Sequence, residues 1–252
     1  MGSAGEAKQR QLAELRRRMA AIPARGADAA ARISVAEVDA DSGVLRGEPL
    51  PVPPALENLL PEGALVKGSV VAYTGAHSLL SGLLASVTAS GGHAAVVGLP
   101  RLGLLAAAEM GARLDRLAVV TDPGADPLEI ASVLLEGLDL VVLGLNGASV
   151  PLSRTRVLTA RARSKHSTLV VTGGSWSGPA LRIDTRVTGY SGLGRGSGRL
   201  RTVCLDVSVH GRSAQPRSGR LDLCPRNGRV EWVEPALTPA PPLPTRHAAS
   251  AS

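Results

Sequence analysis

From residue 68 onward the chain alternates short apolar runs with stretches of helical spacing. Residues 69–74, 93–98, 117–121, 138–143 and 167–172 read as strands. Residues 78–90, 102–111, 127–137 and 157–164 read as the helices between them. The punctuation agrees: Gly91-Gly92 stops one helix, and Asp126-Pro127-Leu128-Glu129 is a capping box with proline at the first helical position. Continuous apolar strands separated by helices predict an α/β, doubly wound, mostly parallel sheet buried on both faces.

After Thr172 the pattern changes to two-residue alternation. Val203, Leu205, Val207 and Val209 share one face of a strand over 199–210. Strands over 220–224 and 229–233 are joined by Pro225-Arg226-Asn227-Gly228, whose Asn-Gly step is a strong hairpin signal. A C-terminal antiparallel extension follows. Upstream, Leu12, Leu15, Met19 and Ile22 fall on one face of a helix over 6–22 that Pro23 ends, with Arg16, Arg17 and Arg18 around the rest. This helix either docks on the main domain or serves as an arm for a partner. The organisation expected is a helix over 1–23, a linker over 24–49, a core over 50–234 and a disordered proline-rich tail over 235–252.

Composition narrows the core. The 252 residues are 44% hydrophobic but only 2% aromatic, without Phe, so Leu, Val, Ile and Ala must fill the interior. Cys204 and Cys224 read as reduced small hydrophobes, and no Cys/His spacing suggests zinc. The charged N-terminus lacks the apolar region of a signal peptide. The apolar stretch 94–108 is broken by Pro100-Arg101 and is too short to span a bilayer. A cytoplasmic protein with no membrane contact is expected.

Charge adds a possible ligand class. Residues 1–149 hold 12 basic and 16 acidic side chains, whereas residues 150–220 hold 13 basic and 2 acidic. The second half suits a polyanion or an acidic partner, or is simply a solvated basic surface. Arg154, Arg161 and Lys165 share a helical stripe beside Arg156 and Arg163, and Arg195, Arg199 and Arg201 surround a Gly/Ser-rich loop. These are the candidate contacts for nucleic-acid phosphates; for base stacking only Trp176 and Tyr190 are at hand.

The strand–loop–helix text over 70–84 has the layout of a phosphate cradle. A working P-loop, G-x-x-x-x-G-K-[ST], surrounds phosphates with backbone N–H groups, adds a Lys charge and holds magnesium with a hydroxyl. Here Gly75 opens the loop, but Leu80 and Ser81 stand for the second Gly and the Lys, and Gly82 stands for the hydroxyl residue. Ser78 and Ser81 have no base at a recognisable spacing, and His77, His93 and His166 have no partner in view. Asp122 and Asp126 are explained by turn and cap duties. Neither cofactor nor metal is expected.

The order of elements resembles the RecA recombinase core over roughly residues 50–233. The stretches that carry the likeness are 70–90, 108–120, 126–145 and 175–184. The resemblance implies a Walker B Asp where this chain has Gly144, and a catalytic carboxylate where it has Gly98-Leu99-Pro100-Arg101-Leu102. With the Lys and hydroxyl also missing, the charge clamp on a transferring phosphoryl group is gone, and a pseudo-ATPase is expected. The two loops that meet DNA in recombinases shrink to 146–153 and 173–178, which argues against strand exchange. A short RecA-like chain of this kind resembles the ImuA-prime proteins of mycobacteria and relatives. That resemblance implies a damage-inducible accessory role in translesion synthesis, with the Y-family-like protein ImuB as direct partner and an error-prone polymerase reached through it. The partner contacts expected are Leu12, Leu15, Met19, Ile22 and Trp232, with non-specific DNA contact through the basic residues. A SulA-like division inhibitor and a RecA paralogue that modulates recombination on DNA are the alternatives.

Overall fold

The computed structural model describes residues 47–193, 198–212, 214–226 and 228–235, the side chains of 193, 198 and 199 excepted. The helix expected over 6–22, with Leu12, Leu15, Met19 and Ile22, lies outside the described residues, as do most of the linker, Arg195, the Arg199 side chain and the tail from 236.

The described chain opens with β1 (Pro49–Leu50), α1 (Pro54–Glu57) and β2 (Leu65–Val66), β1 and β2 forming a small antiparallel pair. Alternation then runs as expected: β3 (Val70–Thr74), α2 (His77–Ala89), β4 (Ala94–Val97), α3 (Leu104–Glu109), β5 (Leu117–Val120), α4 (Pro127–Leu134), β6 (Leu140–Gly144), α5 (Leu152–Ser164) and β7 (Thr168–Thr172). The antiparallel part is β8 (Leu181–Leu193), β9 (Gly198–Gly211), β10 (Arg217–Arg226) and β11 (Arg229–Val233).

One nine-stranded sheet in the order β11-β10-β9-β8-β3-β7-β6-β4-β5 joins them. Pairings from β8 through β5 are parallel, and those among β8, β9, β10 and β11 are antiparallel. This is the α/β, doubly wound, mostly parallel sheet with a C-terminal antiparallel extension that the sequence predicts. Central strands β3, β6 and β7 are apolar on both faces because helices cover both. On one face α4 and α5 place Ala131, Leu135, Leu158 and Ala162 against Val70, Val141, Leu143, Leu169 and Val171.

The other face is built around α2. Nine of its thirteen residues are buried, so it is apolar nearly all round and lies inside the molecule. The sheet lies against one side, with Val71, Tyr73 and Ile183, and the extension curls back to bring Trp232 against the other. Two expectations shift. Helix α5 begins at Leu152 instead of 157, because Thr155, Leu158 and Ala162 already supply a buried stripe from its first turn. Strand β8 runs thirteen residues, of which only Leu181–Asp184 pair with β3; from Thr185 on it pairs with β9 alone, and β10 flanks β9 as far as Val203.

Candidate functional site

The phosphate-cradle text forms a tight strand-to-helix turn. Strand β3 ends at Thr74, Gly75 turns with φ of 101°, Ala76 is the cap residue, and α2 has begun by His77. In a phosphate cradle the loop N–H groups and the helix N-terminus point at an anion. Here the Ala76 N–H donates to Thr185 Oγ1 at 2.8 Å, and the Thr185 hydroxyl donates to the Thr74 carbonyl at 2.9 Å. The Tyr73 hydroxyl donates to the Ala76 carbonyl and lies 3.0 Å from Thr185 Oγ1. Burial pushes the Tyr73 phenol far above its usual range, so it stays neutral. A β-carbon at Gly75 would lie 1.8 Å from the Thr185 carbonyl oxygen, so β8 closes directly over the loop.

The remaining motif positions are taken up by packing. Leu79 and Leu80 are fully buried beneath the extension, and Ser81 is 2% exposed. A β-carbon at Gly82 would approach the Trp232 indole to 2.7 Å, so the place of the magnesium-binding hydroxyl is filled by β11. At Gly144 a β-carbon would lie 2.6 Å from the Gly98 carbonyl oxygen and 2.7 Å from Leu99 Cδ2. An aspartate has no room there. Thr185 and Trp232, which carry this closure, are far from the motif in sequence, and no local signal marks them.

The loops after β6 and β7 are tied to each other. Val150 N–H donates to the Ser175 carbonyl and Ser175 N–H to the Ala148 carbonyl, both at 3.0 Å, and Ser149 bridges Ser175. Trp176 beside them is buried, which corrects the expectation that it could stack on a base. Trp232 is likewise corrected as a surface contact: it is 5% exposed and belongs to the core around α2.

The basic stripe on α5 is partly spoken for. Arg154 donates to both carboxylate oxygens of Asp126, at 2.8 and 2.6 Å, and Arg161 reaches Glu136 at 3.4 Å. Hydrogen bonding from Arg154 holds the Asp126 carboxyl below its usual range, while Asp126 also accepts the Glu129 N–H as the α4 cap. Arg163 and Lys165 are exposed at the C-terminal end of the helix. Elsewhere, Arg201 is exposed on the β8–β9 hairpin with Arg186 and Tyr190, and Asp206 on β9 is the register partner of Arg186. The structure therefore divides the candidate cations between α5 and the β8–β9 strands.

Lys67 is a largely enclosed cation with two carboxylate partners, Glu48 at 2.8 Å and Asp139 at 3.0 Å. Burial alone would lower the Lys67 pKa, but its two carboxylate partners outweigh burial and raise it. Burial would raise Asp139, but the His93 N–H and Lys67 bring it below the usual carboxylate range. Both cysteines are free thiols. Among the described residues no group of three or more His, Cys, Asp or Glu is placed to hold a metal ion, and no helix is long and apolar enough to cross a membrane.

Among solved structures, the chain is similar to a KaiC-like protein from Pyrococcus horikoshii at 12% identity, covering 75% of this chain and 99% of that one with a TM-score of 0.49. The family described as the MT3502 N-terminal domain matches residues 58–178, from the end of α1 through the pinned loops. An uncharacterized Mycobacterium tuberculosis protein, Rv3395c, is 51% identical over 168 residues, which cover 62% of this chain and 80% of that protein. With half of the aligned positions identical across most of that relative, the chain belongs to the family of Rv3395c.

Proposed function

We propose that this chain is a non-catalytic RecA-fold accessory protein of DNA-damage-induced mutagenesis. In this reading it binds an ImuB-type, Y-family-like adaptor in the cytoplasm and through it supports an error-prone polymerase in translesion synthesis. The observation that carries the reading is the closed cradle: Thr185 takes the loop N–H, Trp232 fills the hydroxyl position, and Gly98 and Leu99 crowd the Walker B position. A fold whose nucleotide positions serve its packing offers surface rather than chemistry. No nucleotide is needed for such a role.

Co-purification of the full chain with an ImuB-type protein tests this, with and without ATP, and with residues 1–23 or 235–252 deleted in turn. A nucleotide-indifferent complex that one deletion abolishes is expected. Failure of any complex to form removes the adaptor reading. A second reading, a DNA-binding modulator related to RecA, is favoured by Arg186, Tyr190 and Arg201 exposed on the β8–β9 pair, although Asp206 stands across from Arg186. It requires binding to single-stranded DNA that weakens steeply with salt and is lost on substituting those arginines.

A further inference from the structure

A groove of about 640 Å³ runs between α1, α2 and β11. Its floor on α2 is Gly82, Ala85, Ser86 and Ala89, small residues at successive helical-face positions that leave a shallow trough. Prolines 53 and 54 wall one side and β11 the other, with Glu231 and Glu234 among the charged groups on it. The Trp232 indole N–H sits at the base against Gly82 and has no acceptor among the described residues.

We propose that this groove seats the chain's own residues 236–252 as an extended, proline-rich strand. Strand β11 delivers the chain to it: Val233 and Glu234 both line the groove and Pro235 follows directly, so the segment starts at the rim with no connecting length to span. Its reach is sufficient. Seventeen residues (236–252) in polyproline geometry cover about 50 Å, against about 20 Å for the thirteen-residue α2.

The chemistry also matches. The segment carries Leu237, Leu243 and prolines 239, 241, 242 and 244, but no acidic residue. Arg246 is its one Lys or Arg side chain, and the groove lining carries two acids, Glu231 and Glu234, against one base, Arg226. Prolines supply carbonyl acceptors with no N–H of their own, which suits a groove whose floor holds a donor short of an acceptor. A strand already stiffened by proline loses little entropy on docking, the reason such segments are used against apolar grooves. This inference is independent of the mutagenesis reading.

Hydrogen exchange read by mass spectrometry on the full chain and on a chain ending at Pro235 tests it. Residues 82–89 and 230–233 are expected to exchange about tenfold faster without the segment, with the rest unchanged. A synthetic peptide of residues 236–252 added to the shortened chain restores protection saturably. Ala89→Arg, at an exposed groove position, removes the difference while circular dichroism confirms the fold. Equal exchange in the two chains, or a peptide without effect, overturns the proposal. So does protection that grows with protein concentration alongside a dimer mass, which would assign the groove to a second copy.

Discussion

Gly82 shows how one residue decides between two uses of the same loop. The P-loop pattern asks for Ser or Thr there, and the structure puts the Trp232 indole where that side chain would begin. Gly82→Ser is expected to destabilise the domain by about 1–3 kcal/mol through overpacking, seen as a lower melting temperature. In the double variant with Trp232→Leu the two losses should fall well short of additive, because the smaller side chain vacates the contested space. Strict additivity would show that Trp232 does not set the residue at position 82. The absence of a hydroxyl residue was legible in the sequence. Its cause was not, since Trp232 lies 150 residues downstream and nothing in the local text links it to α2.

At the scale of elements, strands were read well wherever an apolar run coincided with burial, as in β3, β6 and β7. Boundaries moved where tertiary contacts override local pattern. Helix α5 gains its first turn because Thr155 is buried, and α3 is cut to six residues between Gly103 and Gly111. The small β1–β2 pair was missed, since two-residue strands have no period to detect. That pair is fastened to the start of β6 through Glu48, Lys67 and Asp139. Asp139 has a lowered pKa when folded, so its contribution is present above the unfolded carboxylate value near 4 and is lost as pH falls through the folded value. Lys67 has a raised pKa when folded, so its share is full below about 10.4 and is lost as pH rises through the folded value. Stability from this network is therefore flat across neutral pH. Asp139→Asn is expected to lower stability at pH 7 by about 1–2 kcal/mol and to make the acid limb of the melting curve shallower. An unchanged acid limb in urea titrations from pH 3 to 7 would remove Asp139 from that account.

For the whole molecule, a parallel frame carries an antiparallel extension that is wrapped over α2, the helix that follows the cradle text. Alternation and hairpin signals made both halves legible, but their curling together depends on long-range packing of Leu205, Leu221 and Trp232 around α2. The closure makes a prediction about ligands. A nucleotide site with Kd of 10 μM would stabilise the fold by about 2.7 kcal/mol in 1 mM ATP, and about 2–4 °C per kcal/mol converts this to a melting shift of roughly 5–11 °C. With magnesium present, the shift expected here is below about 1 °C, since neither the Ala76 N–H nor the Gly82 position is open to a phosphate. Restoring the motif by Leu80→Gly, Ser81→Lys and Gly82→Ser should not create the site. Leu80 and Ser81 are buried in the core, so the change opens a cavity, buries an unpaired ammonium and strikes Trp232 at once. The triple variant is expected to unfold or melt far below the parent chain. If it instead folds and gains an ATP-dependent melting shift, the cradle is intact and only its side chains are missing. The proposed accessory role would then need nucleotide brought back into it.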